Sequence, residues 1–299
     1  MEGAVTSSGI GSVPDVVPGA AMRIRRVQTH AEYVACVELQ MATWGAEFRE
    51  IIPATMLKIS QRLGGVTAGA FGDDGTLLGF IFGITGIERG EIVHWSDMLA
   101  VREDARNHGI GRRLKEFQRE AVRGVGATRI YWTFDPLVAR NAHFNLNRLG
   151  ARVAEYVTDM YGVDTGSALH SGFGTDRLIV VWPVTADGAP AGSRHSGEPA
   201  RAGTPPPTRG TPMLNARFRT DSAQPRLDPP LPAMLRIEIP SDILAVRAES
   251  GAEAHRCRVE TRRAFQWALA NGYEVQRFER ATHDGHGYYL LARDSGFPG

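Results

Sequence analysis

Cysteine is scarce in this chain of 299 residues: only Cys36 and Cys257 occur, and they lie far apart in the sequence. A disulfide framework and a cysteine-ligated zinc site are therefore excluded, and a reducing, cytoplasmic compartment is expected. No apolar run reaches the length of about 18 residues that a membrane-spanning helix needs. Residues 1–22 lack the basic segment and apolar block of a secretory signal.

An excess of one charge is also missing. The 34 lysines and arginines nearly balance the 33 aspartates and glutamates, which leaves a formal net charge of +1. This balance implies no general attraction to nucleic acid or to an anionic membrane. The histidines are scattered without the spacing of metal ligands, so no metal site is predicted. The hydrophobic content of 42% is ample for a buried core.

Composition divides the chain into four parts. Residues 1–22 are predicted to be a disordered tail, and residues 23–185 form the main ordered block. Residues 186–233 are rich in proline, including the run from Pro205 to Pro207. They are predicted to be a linker, although an extended segment docked on a partner has the same composition. Residues 234–299 are few for an independent domain, and we expect this α/β subdomain to pack on the first block.

Strand and helix patterns alternate along the main block. Thr29 and Glu32 form a capping-box pair before a helix, and the Asp73-Asp74-Gly75 turn lies between two apolar runs typical of a hairpin. Strands are predicted at Glu91–Val101 and Arg129–Phe134, and a helix is predicted from Arg140 to Leu149. The complete order is β-α-α-β-β-β-α-β-α-β-β. This order predicts an α/β (α+β) fold, with a mixed central sheet flanked by helices and a small C-terminal extension.

The most informative motif lies between a strand that ends near Val101 and a helix that begins near Ile110. Arg106, Gly109 and Gly111 form the pattern Arg-x-x-Gly-x-Gly at this junction. The first turn of a helix has unpaired N–H groups and a partial positive charge, and glycine lets the backbone approach a ligand closely. The motif therefore predicts an anion-binding turn, with arginine side chains adding charge-assisted hydrogen bonds.

This strand, turn and helix, preceded by Leu99-x-Val101, resemble the acyl-CoA signature of the GNAT superfamily of N-acyltransferases, and the resemblance covers residues 23–185. It implies acetyl-CoA or another acyl-CoA, such as succinyl-CoA, as cosubstrate. It also implies that the acyl thioester lies in a splay between the strands Leu99–Val101 and Arg129–Phe134. The cofactor-binding residues that it implies are Leu99, Ala100, Val101, Arg106, Asn107, His108, Gly109, Ile110, Gly111, Arg112 and Asn141.

Catalysis by direct attack needs a neutral amine, and Asp97 is the predicted base or ammonium anchor. Alternation along the strand places Asp97 on the same face as Leu99, although a surface carboxylate without a catalytic role fits the pattern equally well. His94 is predicted to be a core residue. A backbone N–H near Ala100 or Val101 is the family-type oxyanion donor.

The family's usual tyrosine, a phenolic proton donor, is replaced by Leu146. Either solvent protonates the leaving thiolate, or one of three other phenols does so: Tyr131, Tyr156 or Tyr161.

Polar residues near predicted strand ends and turns are candidates for the acceptor pocket. They are Asp135, Arg140, Asn145 and Arg177, and either arginine could bind a carboxylate with two hydrogen bonds. A turn salt bridge between Asp176 and Arg177 is the alternative.

A subgroup of predicted GNAT acyltransferases, some associated with N-acylamino-acid racemases and with the N-succinylation of amino acids, is also similar. The resembling parts are the segments Trp132–Leu137, Arg140–Asn145, Thr175–Arg177 and Ile237–Pro240 and the C-terminal helix. The resemblance therefore implies an N-acyltransferase for a small primary amine, such as an amino acid, in a protein able to form a homodimer. The alternative is a GNAT-fold module that binds CoA as a sensor or scaffold.

Overall fold

The computed structural model describes residues 22–162, 165–167, 173–184, 210–217, 224–280 and 285–293. Apart from Met22, the predicted tail lies outside these residues, as does much of the predicted linker. The helices are α1 (His30–Trp44), α2 (Ala54–Arg62), α3 (Ile110–Arg123), α4 (Ala139–Ala142), α5 (Ile243–Glu249) and α6 (Gly251–Ala270). The strands are β1 (Arg23–Arg26), β2 (Val66–Phe71), β3 (Leu77–Glu88), β4 (Glu91–Val101), β5 (Arg129–Phe134), β6 (Arg152–Val157), β7 (Arg177–Pro183), β8 (Met234–Pro240), β9 (Tyr273–Arg280) and β10 (His286–Arg293).

Seven strands form the main sheet, in the order β1-β2-β3-β4-β5-β7-β6. All neighbouring pairs are antiparallel except β4 and β5, which run parallel. The connection between β4 and β5 contains α3, as a parallel crossover requires. The predicted mixed sheet with flanking helices is confirmed.

Local sequence signals explain several element ends. Thr29 caps α1 by accepting a hydrogen bond from the N–H of Glu32, whose side chain accepts one from Thr29 in return. The helix predicted from Arg140 to Leu149 is not a regular α-helix. The short helix α4 (Ala139–Ala142) is continued by a π-helical turn at His143–Arg148. Such turns are rare and often occur at functional sites.

Two hydrophobic layers cover the sheet. Met98 and Ala100 of β4 lie in the layer below α1 and α2, which also includes Leu57 and Phe80. The layer below α3 includes Leu114, Ile130 and Trp132 and continues into the C-terminal part of the chain. Leu99 packs against this second layer. Successive residues of β4 therefore face opposite layers beyond residue 97.

The C-terminal residues form a second sheet in the order β8-β10-β9, which α6 covers. Its core is continuous with the α3 layer of the main sheet. Phe265 of α6 stacks on Tyr156 of β6 with a centroid distance of 5.5 Å, and the Tyr289 hydroxyl donates to the Pro136 carbonyl at 2.7 Å. Residues 210–217, part of the predicted linker, also pack here, because Leu214 is fully buried and its N–H donates to Arg236.

Candidate functional site

The strands β4 and β5 separate partway along their length. They pair only at Val93 with Arg129, His94 with Ile130 and Trp95 with Tyr131. Beyond this last pair, β4 stays paired to β3 on one edge only, as far as Val101. The predicted splay is therefore present, and it leaves the backbone of residues 96–101 without a strand partner on the side that faces β5.

A β-bulge in β4 lies at the start of the splay. Phe82 pairs with Met98 and Gly83 pairs with Ser96, so Asp97 is the extra residue. A bulge redirects side chains, and the alternation that put Asp97 on the face of Leu99 does not continue across it. Asp97 is exposed. The neighbouring Ser96 is buried and accepts a hydrogen bond from Lys115 of α3 at 2.9 Å.

The environment of Asp97 raises the pKa of its carboxyl group. Desolvation by the surrounding protein is the largest cause, a hydrogen bond from the Trp95 side chain opposes it, and the negative charge of Glu50 raises the pKa further. Glu50 follows α1 in the chain, so the α1–α2 connection brings a second carboxylate near Asp97. A raised pKa suits a carboxylate that accepts a proton at moderate pH.

The predicted anion-binding turn joins the open end of β4 to α3. Gly109 caps α3 in the left-handed conformation with φ 76°, and Asn107 also has a positive φ of 68°. A Cβ atom on Gly109 would meet nothing within 4 Å, so glycine is needed there for its backbone conformation. Within the described residues, no acceptor bonds to the backbone N–H groups of residues 107–111.

The side chains around this turn have different roles. Arg106 is exposed, and its Nε donates to the Val101 carbonyl at 3.2 Å, which ties the turn to the end of β4. Arg112 pairs with Glu116 at 2.8 Å along the helix. The Nδ1 of His108 lies 3.4 Å from the Ala105 carbonyl. Ile110 is buried and anchors the helix, so its contribution to an anion site is its backbone.

The three candidate phenols lie in different places. The Tyr131 hydroxyl donates to Glu88 at 3.0 Å, at the paired end of the strands. The Tyr156 hydroxyl donates to the buried Asp176 at 2.5 Å, and burial and this carboxylate raise the pKa of Tyr156. The Tyr161 hydroxyl lies 3.0 Å from the Thr133 hydroxyl, within the splayed part of β5. Leu146 is buried in the core, and Asn141 lies half-buried in α4.

Three of the four predicted acceptor residues have protein partners. Asp135 accepts hydrogen bonds from both terminal nitrogens of Arg258, at 2.9 and 2.6 Å, and lies 3.8 Å from Arg177. Asn145 is buried and accepts a hydrogen bond from the Trp132 indole at 2.9 Å. Only Arg140 among the four is exposed.

Asp176 and Arg177 each contact other groups in this region. Asp176 is fully buried and accepts hydrogen bonds from Arg262 of α6, at 2.8 and 2.6 Å. Arg177 donates to the Asp176 backbone carbonyl at 2.9 Å. Burial alone would raise the pKa of Asp176, but the hydrogen bonds from Arg262 and Tyr156 outweigh it and lower the pKa.

Two loops meet on the side of the sheet that carries Asp97. The N–H of Arg49 donates to the Thr165 carbonyl at 2.9 Å, and the Ser167 hydroxyl donates to the Trp44 carbonyl at 2.7 Å. Residues 165–167 are therefore held against the end of α1 and the α1–α2 connection. Neither loop contact was predicted from the sequence, because no local pattern links these segments.

Buried polar groups lie under β4, on the α3 side. The Nζ of Lys115 is 3.9 Å from the centre of the Trp132 ring, and burial lowers the pKa of Lys115 well below its ordinary value. His94 is fully buried, its Nδ1 lies 2.9 Å from the Thr85 hydroxyl, and burial lowers its pKa to about 3. A buried, neutral His94 agrees with the prediction of a core residue, and it does not suit a base on the exposed face.

Lys115→Met is expected to stabilise the fold by on the order of 1–3 kcal/mol, since it replaces a buried charge with an apolar side chain of similar length. Because the folded-state pKa of Lys115 is lowered, the unfolded chain binds more protons than the folded chain at pH values between the two pKa values. Stability of the unaltered protein therefore falls as pH falls through that window. Denaturant unfolding should show a larger gain at pH 6 than at pH 9.

Lys58→Met is the control for this prediction, because Lys58 is exposed. It should change the free energy of unfolding by less than about 0.5 kcal/mol at both pH values. A Lys115→Met variant that is less stable than the unaltered chain at pH 6 would contradict the prediction.

Two features are absent from the described ranges. No helix there is long and apolar enough to cross a membrane. No group of three or more histidine, cysteine, aspartate or glutamate side chains there could hold a metal ion.

A protein-family model matches the part of the chain that contains the glycine turn and the splay. Residues 33–150 match the model of the acetyltransferase (GNAT) family. No curated protein matches the chain in a sequence search.

Many solved structures resemble part of this chain, and three of them are acetyltransferases or proteins solved with coenzyme A or acetyl-CoA. The yncA protein of Salmonella typhimurium, solved with its cofactor acetyl-CoA, is 18% identical, with a TM-score of 0.43 over 57% of this chain and 98% of that one. An aminoglycoside 6'-N-acetyltransferase complexed with coenzyme A is 16% identical, with a TM-score of 0.42 over 55% and 97%. An N-acetyltransferase from Staphylococcus aureus Mu50 is 14% identical, with a TM-score of 0.43 over 56% and 100%.

The family match spans α3, the glycine turn and the splayed strands, which are the elements that form the site described above. Residues 33–150 are therefore an acetyltransferase domain of the GNAT family.

Proposed function

We propose that this protein transfers an acyl group from coenzyme A to the primary amine of a small metabolite by direct attack. The observation that carries the proposal is the splay between β4 and β5, which leaves the edge of β4 beyond Trp95 without a partner on the β5 side and is followed in the chain by the glycine turn at Gly109. A thioester at the splay and a diphosphate at the turn would suit these two regions. Structures with similar chain paths were solved with acetyl-CoA or coenzyme A.

The turn fits an anionic diphosphate. Its N–H groups at residues 107–111 have no acceptor within the described part of the chain, and they point from the start of a helix whose dipole favours negative charge. Arg106 would add positive charge at the rim. Along β4, backbone groups of Leu99 to Val101 would bind the pantetheine arm, and an N–H near Ala100 or Val101 would stabilise the oxyanion. Asn141 in α4 would add a hydrogen bond to the same arm.

Direct attack also fits the thiols of the chain. Cys36 is fully buried, and burial raises its pKa to about 12. Burial likewise raises the pKa of Cys257. A reactive thiolate is therefore not available from either residue at neutral pH. The amine itself must attack the thioester, after it loses a proton to Asp97 or to water that Asp97 holds.

The charges near Asp97 favour a positively charged acceptor. Asp97 and Glu50 provide two carboxylates for an ammonium group before it loses its proton. An amino acid would also need a partner for its carboxylate, and Arg140 is the exposed candidate, since Arg177 is committed to Asp135. The acceptor class that we propose is a small primary amine such as an amino acid, and succinyl-CoA remains an acyl donor to be tested beside acetyl-CoA.

Thiol release tests the proposal directly. The unaltered chain should release free thiol from acetyl-CoA or succinyl-CoA in the presence of a suitable amine, and the panel should include D- and L-amino acids and diamines. Binding of coenzyme A by calorimetry without thiol release for any amine would support the alternative of a CoA-binding module. Failure to bind coenzyme A would overturn both.

Asp97→Asn is expected to lower kcat about 100-fold or more, the lower end of what a positioned base contributes. The affinity for coenzyme A should change little, because Asp97 lies at the acceptor end of the splay. Rates should be measured from pH 6 to pH 9, where loss of the base should flatten the rise of activity with pH. Asp73→Asn, in the exposed β2–β3 turn, is the control and should leave kcat unchanged. An Asp97→Asn variant with an unchanged rate and pH profile would remove Asp97 from the mechanism.

A further inference from the structure

We propose that Tyr161 is the proton donor to the leaving thiolate, and this proposal rests on the proposed acyl transfer. The usual tyrosine position of the family is occupied by Leu146, which is buried in the core with 5% exposure. A hydroxyl that replaces it must come from another element and must lie where the splay opens. The segment that follows β6 places Tyr161 there.

The register of the two strands locates the Tyr161 hydroxyl. The last pair between β4 and β5 is Trp95 with Tyr131. Two residues further along each strand are Asp97 and Thr133, so these two residues lie at about the same level on opposite sides of the splay. The Tyr161 hydroxyl is 3.0 Å from the Thr133 hydroxyl. It therefore lies at the level of the bulge, where the acceptor amine and the thioester would meet.

The orientation of β5 places Thr133 on the acceptor side. Ile130, Trp132 and Phe134 point into the α3 layer and are buried, whereas Thr133 is only half-buried and points away from them. The loop contacts agree, because the segment after Tyr161 meets the α1–α2 connection at Thr165. That connection also carries Glu50, whose charge acts on Asp97.

Tyr161 is held by two contacts besides its hydroxyl. Its backbone N–H donates to the Thr175 hydroxyl at 3.0 Å, and that hydroxyl donates to the Gly162 carbonyl at 2.7 Å. The Arg177 guanidinium lies 5.1 Å from the centre of the Tyr161 ring. Arg177 is buried and lies 3.8 Å from Asp135, which Arg258 also binds. A cation beside the ring would stabilise the phenolate that forms after proton transfer.

Acyl transfer converts an amine and a thioester into an amide and a thiol. The ammonium proton first goes to Asp97 or to solvent. The amine nitrogen then forms a bond to the carbonyl carbon as the carbon–oxygen π pair moves onto oxygen, and the nitrogen loses its second proton to water. When the tetrahedral intermediate collapses, the carbon–sulfur bond breaks and its electron pair stays on sulfur. Tyr161 gives its hydroxyl proton to that sulfur and produces the thiol. Solvent, or water beside the Thr133 hydroxyl, returns a proton to the phenolate, and an amide and free coenzyme A leave.

Tyr161→Phe tests this assignment. The phenylalanine ring keeps the contact with Arg177, so the fold and coenzyme A affinity should be retained in thermal unfolding and calorimetry. Steady-state kcat should fall about 100-fold. The loss should fall on kcat, while the KM for acetyl-CoA should change little, because the hydroxyl acts only when the thiolate leaves. A residue with only a structural role would not produce a loss confined to kcat.

Two controls make the outcome specific. Tyr131→Phe removes a hydroxyl that donates to Glu88 at the paired end of the strands, and it should leave kcat and its pH profile unchanged. Thr133→Val should lower kcat less than Tyr161→Phe, since it removes only the neighbour of the donor.

If the unaltered chain turns over and Tyr161→Phe keeps its kcat, the assignment of Tyr161 is overturned and acyl transfer stands. If the unaltered chain binds coenzyme A but releases no thiol, the proposed function is overturned, and the Tyr161 assignment with it.

Discussion

Gly109→Asp is expected to lower the affinity for coenzyme A at least about 100-fold, equivalent to roughly 2.7 kcal/mol of binding free energy. The new carboxylate would lie at the N-terminus of α3, where a diphosphate is expected, and would repel it. The fold should survive, since a Cβ at this position meets nothing within 4 Å and aspartate tolerates a positive φ better than most residues. Calorimetric titration with coenzyme A measures the effect.

Two variants separate charge from backbone strain. Gly109→Asn has the same shape without the charge, so it should lose much less affinity than Gly109→Asp. Gly75→Asp introduces the same residue at φ 82° in the β2–β3 turn, where a Cβ also meets nothing within 4 Å. It should leave coenzyme A affinity unchanged. If Gly109→Asp binds coenzyme A as tightly as the unaltered chain, the turn does not hold the diphosphate.

The features that the sequence predicted well are those with local causes. The capping pair at Thr29 and Glu32, the hairpin turn at Gly75 and the helix start after Gly109 each depend on residues within a few positions of one another. A strand followed by a glycine turn and a helix is likewise a local pattern. For this reason the candidate anion-binding turn could be located before the fold was known.

The bulge at Asp97 could not be predicted from local patterns. The alternation of residues along β4 predicts an uninterrupted strand, and nothing at Ser96, Asp97 or Met98 indicates an extra residue. The bulge depends on the pairing of β4 with β3, which is set by the whole sheet. The sequence could therefore identify Asp97 as a candidate but could not place its side chain.

Contacts between distant segments were missed for a similar reason. Glu50 and Tyr161 come close to the site through loops, whose paths have no periodic signal. Arg258 did carry a signal, since it continues the spacing of the buried Ala254, Thr261 and Phe265 on one face of α6. An arginine in such a stripe needs a buried partner, but only the structure identifies it as Asp135.

Among the single changes considered, Arg258→Met is expected to be the most destabilising. It should lower the free energy of unfolding by about 3–5 kcal/mol. The Arg258 side chain is 1% exposed, donates twice to Asp135, and donates once more to the Phe173 carbonyl at 3.2 Å. Methionine fills similar space but leaves the Asp135 carboxylate without this partner. For a chain of this size the midpoint of thermal unfolding should fall by roughly 10 °C.

The double variant Asp135→Asn with Arg258→Met distinguishes a stranded charge from lost packing. If the uncompensated carboxylate causes most of the loss, removing it should recover part of the stability, and the two single changes should not be additive. Arg256→Met is the matched control, because Arg256 lies on the same helix but is exposed and pairs with Glu253 only along the surface. It should cost less than about 1 kcal/mol. Equal losses from Arg256→Met and Arg258→Met would show that the ion pair at Asp135 does not hold α6 on the main sheet.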